Sequence, residues 1–366
     1  MLKTDKNKSI NLDHLYRLTD NVGILEHCIM ATPDLREGYC VDDNARALQI
    51  AIRLREEKLV DIYLKFLVSA VGEKGIKNDL SRELVWQNEE LGENFGRAMA
   101  GLADAGKFGL REDHKLTGMF IFDQCIKYIK DVETIRVKAW LVYGLLTRAL
   151  CDPRLELKIE NYCKVRTSQK KIEPVVKLDY KGMAKKLADQ LIVVYCDISN
   201  NSWKWFEDRI TYDNGRLPLA LFWAYSIFDD IKYADVAKES LDFLLKQMYN
   251  RDLKCFSFPG YKGWFERNGK KSIFGQQPIE AGSIAEACEK AYLITRENKY
   301  LKAIEDAYGW FYGNNVLGKT LVDNESGGVY DGLEKEGVNL NQGAESVLSF
   351  LTTYLSAKNL GFIDKV

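Results

Sequence analysis

Helical periodicity runs through the chain, and one arrangement of polar and apolar positions recurs along it. A polar or acidic loop, often carrying Gly or Asn, leads into a run of small and apolar residues. It appears as DDNARALQIAIRL from Asp42, ENFGRAMAGLADAG from Glu93, DNGRLPLALFWAYSI from Asp213, EAGSIAEACEKAYLI from Glu280 and NQGAESVLSFLTTYL from Asn341. IRVKAWLVYGLLTRAL from Ile135 is a further copy without the acidic start. These runs are apolar nearly all round, which is the pattern of a buried helix, and their interleaved Ala, Gly and Ser let neighbouring helices approach closely. Between them lie segments with one charged face, beginning near Val60, Leu116, Tyr180, Ile231 and Lys299. The matching N-terminal segment is INLDHLYRLTD, from Ile10 to Asp20. Strand signals are scarce, and only 6 prolines interrupt the helices.

Buried helices alternating with amphipathic ones predict an all-α (α/α)6 toroid. The inner helices form a central ring, the outer ones wrap it, and the inner starts share one mouth. The spacing between starts is uneven, which marks an architectural repeat rather than a tandem duplication. We read residues 1–366 as a single domain, with a polar surface excursion around 152–176 accounting for the longest spacing.

Composition narrows the class. With 46% hydrophobic and 29% charged residues the chain can bury a large core. A formal net charge of -1 gives no basic footprint for nucleic acid, and no apolar run is long enough for a membrane span. The 8 cysteines are scattered without a CxxC, and there are 3 histidines, so neither a zinc site nor a disulfide framework is indicated. Reduced thiols and a polar N-terminus without a signal peptide imply a cytoplasmic protein. No cofactor or metal is expected.

Converging inner starts would bring together Asp42, Asp43, Asn44, Arg46, Glu93, Asn94, Arg97, Asp213, Asn214, Arg216, Gln276, Gln277, Glu280, Asn341, Gln342 and Glu345. Asp, Asn and Glu favour helix starts as caps and through the helix dipole, but a cap needs one acceptor and several starts carry two carboxylates. Of Asp42 and Asp43, one is expected to cap the first inner helix and the other to be free. The loop WKWFEDRITYDNGR adds Trp203, Trp205, Glu207 and Asp208, and YKGWFER adds Trp264. Aromatic rings beside carboxylates, amides and Arg make a sugar subsite, with rings stacking on CH-rich sugar faces and forks binding hydroxyls. Glycoside cleavage needs two carboxyl groups. Asp43, Asp208 and Glu280 are the candidate acid and base, with Asp42 and Glu345 in reserve. Asn44, Arg46, Arg97, Trp203, Trp205, Glu207, Asp213, Arg216, Trp264, Gln276, Gln277, Asn341 and Gln342 are the candidate substrate-binding residues.

The stretches HLYRLTDNVGILEH, GYCVDDNARAL, WFEDRITYDNGRLP, GQQPIEA and NLNQGAES resemble a family of bacterial and archaeal six-hairpin glycosidase-like proteins, from about residue 12 to 355. Members of that family occur alone or joined to glycosyltransferase domains. The resemblance implies an (α/α)6 toroid, a carbohydrate substrate, mannose-containing glycans among the candidates, and a glycosyltransferase as a candidate partner. Gly275 and Asn94–Phe95 depart from the family pattern. More loosely, Asp42–Asp43 is similar to the adjacent aspartates of the α-1,6-mannanases of glycoside hydrolase family 76, which act as nucleophile and acid/base. The leading expectation is therefore a glycoside hydrolase using two carboxylates. The alternatives are a sugar epimerase or isomerase, for which His14, His27 and His114 fall away from the inner starts, and a non-catalytic carbohydrate-binding partner of a glycosyltransferase.

Overall fold

The computed structural model describes residues 10–159 and 178–363. Six helices form the inner ring: α2 (Val41–Leu54), α4 (Glu93–Phe108), α6 (Ile135–Ala149), α8 (Arg216–Phe228), α10 (Pro278–Thr295) and α12 (Ala344–Asn359). Each packs on the next, and α12 returns to α2, so the ring closes. The outer layer consists of α1 (Asp13–Leu18), α3 (Glu57–Ala70), α5 (Glu112–Cys125), α7 (Tyr180–Ile198), α9 (Ile231–Met248) and α11 (Asn298–Phe311). Here α3, α5, α7, α9 and α11 cover α2, α4, α6, α8 and α10 in turn, and the short α1 lies against α12. The expected (α/α)6 toroid is the fold. Most of the 152–176 excursion, from residue 160 onward, lies outside the described residues.

The periodicity explains the layers. Inner helices are apolar on most faces because they have neighbours on both sides and outer helices behind them. Outer helices send rings such as Tyr63, Tyr233, Tyr300 and Trp310 inward, all fully buried. Three inner helices end in a left-handed residue, Arg55, Asp229 and Arg296. Each such residue stops its helix, and the next outer helix starts two residues later. Among the described residues, strands are confined to the loops as five small sheets. The largest pairs Tyr39–Cys40 with Ile76–Leu80 and that strand with Trp86–Glu90, all antiparallel.

Small residues set the ring's tightness. A Cβ on Gly215, at the start of α8, would fall 2.2 Å from the Ser283 carbonyl oxygen of α10, and one on Gly282 would fall 3.1 Å from the Ser349 oxygen of α12. Gly215→Ala must therefore push α8 away from α10. A loss of about 1–3 kcal/mol is expected for such overpacking, read as a shift in the urea midpoint. An unshifted midpoint would mean the two helices are not held this closely.

Candidate active site

The inner starts converge, as the pattern of polar leaders implied, but the helix α2 is not capped by an aspartate. Its cap is Cys40, extended at φ -121° and ψ 153°, whose Sγ accepts the Asp43 amide. Asp42 and Asp43 are thus both released from capping, and, being neighbours on a helix, they point to different partners. Asp43, almost fully buried, is 2.5 Å from Arg46 Nη2, which also reaches Glu345 of α12 at 3.2 Å. Asp42 is 3.1 Å from Arg97 Nη1 of α4. Arg97 also pairs with Glu93 at 2.8 Å and lies 3.6 Å from Asp213, which precedes α8. Two buried guanidinium groups so tie four ring segments across the axis. Burial alone would lower the Arg97 pKa, but Asp42, Glu93 and Asp213 hold it well above its ordinary value.

Above this ionic layer is a mouth pocket of about 330 Å³, lined among others by Glu26, His27, Asp43, Arg46, Gln277 and Glu345. Glu26 comes from the loop between α1 and α2. That loop is pinned by its own backbone: Glu26 N–H donates to the Gly38 carbonyl, and the Ala344 amide donates to the Glu26 carbonyl. Glu26, Cys40 and Asp43 each place one heteroatom within 4.8 Å of the others. Burial, then the charge of Asp43, push the Glu26 carboxyl up to about 7. His27 Nε2 is 3.4 Å from Glu26 Oε1, with its ring more than half exposed. Burial also pushes the Cys40 thiol well up, and its S–H donates to Asp43 Oδ2 at 3.3 Å, so at neutral pH it is a hydrogen-bond donor rather than a nucleophile. Asp331, at the pocket wall, is raised by burial although Ser346 Oγ and the Gly343 amide donate to it.

Among the described residues, Glu26, Cys40 and Asp43 are spaced to hold a metal. They fit one poorly. The guanidinium of Arg46 already supplies the cation at Asp43, the thiol is held protonated by burial, and the set mixes hard oxygens with a soft sulfur and has no imidazole.

Several sequence-predicted residues are placed elsewhere. Asp208 is 78% exposed, is paired with Arg267 at 3.1 Å and lines neither the mouth pocket nor a second cavity that lies behind the ionic layer. The aromatic loop is a core anchor rather than a sugar platform. Trp203 packs between Phe243 and Phe265 and donates its indole N–H to the Glu207 carbonyl, and Trp205 is wholly buried against Phe206. Glu207 is taken by Arg136 at 2.9 Å. Trp264 stands 5.9 Å from the Tyr212 ring, outside the mouth lining, where the neighbouring Tyr261 is found instead. The buried amides are structural ties. Asn44 bonds the Ile24 amide and the Ile24 and Cys40 carbonyls. Asn94 holds the Ile76 carbonyl; Gln276 accepts from the Phe258 amide and Trp310 and, unlike the others, also lines the mouth pocket. Asn341 accepts the Met30 amide, and Gln342 bonds Asp323 and Ser326. Asp213 and Arg216 line the cavity on the far side of the ionic layer. Glu280 lines neither cavity; Asn214 donates to its Oε2 at 2.8 Å, and Oε1 has no hydrogen-bond partner among the described residues.

Sequence reasoning missed Glu26, His27, Tyr261 and Asp331. None begins an inner helix, so helical periodicity gave no signal for them. GILEH was visible only as part of the stretch before the first inner helix.

No protein-family model and no curated protein sequence matches the chain. Solved structures do. A cellobiose 2-epimerase from Bacillus thermoamylovorans B4167 superposes with a TM-score of 0.66 at 13% identity, covering 94% of this chain and 95% of that one. A D-mannose isomerase gives 0.61 at 11%, covering 95% of each chain. A GH76 α-mannanase from Bacteroides thetaiotaomicron gives 0.57 at 13%, covering 96% and 95%. The chain shares with them the six-hairpin glycosidase-like toroid over nearly its whole length.

Glu280 yields a pH prediction. Burial raises its carboxyl to about 8, with the Asp213 charge adding to the shift and the Asn214 hydrogen bond opposing it. A raised acid keeps its proton in the fold, so its contribution to stability is complete below the ordinary value near 4.5 and is lost as pH rises toward and past 8. Thermal unfolding of the native chain should therefore drop between pH 5 and pH 9. In Glu280→Gln, which keeps the acceptor for Asn214, that drop should be smaller by several degrees. An identical pH slope in both proteins would mean Glu280 is not a buried neutral acid.

Proposed function

We propose that the chain is a glycoside hydrolase acting at the mouth pocket, with Glu26 as the acid and Asp43 as its partner carboxylate. The observation that carries this is the pair itself: two carboxyl groups with oxygens within 4.8 Å, one pushed up to about 7 and the other ion-paired. A retaining glycosidase sets its carboxyls about 5–5.5 Å apart. In that reading Glu26 protonates the leaving glycosidic oxygen while Asp43 attacks the anomeric carbon. Glu26, now ionised, then takes a proton from the water that releases the sugar. The thiol of Cys40 and the Arg46 guanidinium orient Asp43. Asp42, Gln277 and Glu345 at the same pocket are the hydroxyl-binding groups.

The substrate class follows from the resemblance and from the fold neighbours, of which one is an α-mannanase and one a mannose isomerase: a mannose-containing oligo- or polysaccharide. The free thiols among the described residues suit a reducing, cytoplasmic compartment, and a glycosyltransferase is the partner the resemblance points to. A second reading is favoured by one observation. His27 beside Glu26 makes an imidazole–carboxylate pair able to move a proton at a sugar carbon, and two of the three fold neighbours named above are an epimerase and an isomerase.

Product NMR on a mannan-oligosaccharide library separates the two. Hydrolysis gives shorter chains with the anomeric configuration first retained, and epimerisation gives chains of unchanged length. Glu26→Gln and Asp43→Asn should each lower the hydrolytic rate by about 10²–10⁴, whereas His27→Gln should leave it within a few-fold. The native rate should fall as pH rises through about 7, where Glu26 loses its proton. Unchanged hydrolysis in both carboxyl variants would remove this assignment, and loss of activity in His27→Gln with chain length conserved would move it to epimerisation.

A further inference from the structure

A second cavity occupies the ring behind the ionic layer. It measures about 770 Å³, more than twice the mouth pocket, and lies within the size range of small-ligand sites. Its lining includes Arg55, Phe108 and Asn359, at or next to the ends of α2, α4 and α12. It therefore opens on the face opposite the mouth. Phe108 is 52% exposed there. Arg46 lines both cavities.

The inside of this cavity is organised. The Asp104 carboxylate is fixed from both sides, by the Tyr143 hydroxyl and the Gln49 amide, each donating at 2.6 Å. Glu286 accepts from Arg216 at 2.8 Å through one oxygen, while its other oxygen stands 3.6 Å from Arg53. The rings belong to the same wall. Tyr143 meets Trp223 edge to face at 5.3 Å, the Arg216 guanidinium lies 3.5 Å from the Trp140 centroid, and the Lys290 ammonium lies 3.7 Å from that of Trp223. Planar acceptors and donors with fixed orientation, set among aromatic rings in a concave surface, match a ligand that is apolar on its faces and hydroxylated on its edges.

The lining carries charges of both signs, seven basic groups and four acidic ones. In the inner part Arg53 and Arg216 face Glu286 and Glu289, and Lys290 is held over the Trp223 ring, so a ligand there meets carboxylates and cations together. Basic groups near the opening, such as Arg55 and Lys107, sit where helices end and offset the negative ends of their dipoles. Hydroxyl groups both donate and accept, and so can serve carboxylate and guanidinium at once. We propose that the rear cavity is a second carbohydrate site that takes a neutral oligosaccharide from the face opposite the mouth. It rests on the cavity's own geometry and needs no turnover at the mouth.

Calorimetric titration of the full chain with maltotriose, cellotriose, mannotriose and glucose 6-phosphate tests it. The native chain and the Asp43→Asn variant should bind at least one neutral trisaccharide equally well. Trp223→Ala and Glu286→Gln should weaken that binding tenfold or more. If Trp223→Ala does not fold, Glu286→Gln alone decides. The proposal is overturned if no neutral trisaccharide binds at millimolar concentration, if binding survives both rear variants, if Asp43→Asn weakens it as much as they do, or if glucose 6-phosphate binds the rear cavity more tightly. Rear binding that persists in an Asp43→Asn protein without hydrolytic activity separates this site from the catalytic reading.

Discussion

The ring depends on how it accommodates charge at its axis. Arg97 is 4% exposed, and an isolated guanidinium at such a place would be strongly destabilising. It is tolerated because carboxylates from three parts of the chain converge on it: Asp42 from α2, Glu93 from its own helix and Asp213 from the leader of α8. Arg46 repeats the arrangement between α2 and α12 through Asp43 and Glu345. Apolar packing holds neighbouring helices together pairwise; Arg46 adds an ionic tie between the neighbours α12 and α2, and Arg97 reaches past α6 from α4 to the leader of α8. The acidic leaders of α2, α4, α8 and α12 each supply a ligand to one of these two cations, whereas Glu280 of α10 is held by Asn214 instead.

The same economy of cations sets the chemistry at the mouth. Arg46 is the nearest guanidinium to the Glu26–Asp43 pair, and its Nη2 is spent on Asp43 and Glu345. Glu26 is left in a partly buried site with the negative charge of Asp43 as its main electrostatic neighbour. The cheapest state for it is the protonated one, which is why its carboxyl rises to about 7. A proton donor next to a carboxylate thus arises from one salt bridge and one loop position.

The fold was legible because both of its layers write a period into the sequence. Six leaders and their apolar runs, with an amphipathic segment for each, matched α2 through α12 with boundaries close to the observed ones. Convergence of the inner starts was legible as well: Asp42, Asp43, Arg46, Arg97, Asp213 and Glu345 do meet at the axis, although Asp213 and Arg216 face the cavity behind it rather than the mouth. What failed was the inference from composition to environment. Trp203 and Trp205 beside Glu207 and Asp208 read like a sugar platform, but in three dimensions the indoles face the core, Arg136 captures Glu207 and Asp208 faces outward. Buried amides such as Asn44 and Asn94 likewise satisfy loop backbone, a use that residue type alone does not distinguish. Glu26 was invisible for the opposite reason. It sits in a loop without periodicity, and its role comes from a tertiary contact with Asp43.

The axis is also where the fold leaves polar groups unpaired. Asp42 Oδ1, Arg46 Nε and Nη1, Arg97 Nε, Asp213 Oδ2, Arg216 Nε and Trp140 Nε1 are shut from solvent with no hydrogen-bond partner among the described residues. Each such group costs about 1–3 kcal/mol in a protein interior, and nothing in the packing of the twelve helices requires them there. These seven share one layer, between a pocket of paired carboxylates and a cavity of aromatic rings and forks, while nine further such atoms among the described residues are spread over other sites, for example on His14, His114, Gln190 and Ser356. What distinguishes the axial layer is the concentration of such atoms on charged side chains, the kind of groups that polar ligands or water in the adjoining cavities can satisfy. Arg46 is part of the wall of both cavities, yet each keeps lining groups of its own, Glu26 and His27 at the mouth and Tyr143 and Trp223 behind the layer, so the layer divides the toroid into two chemically different ends.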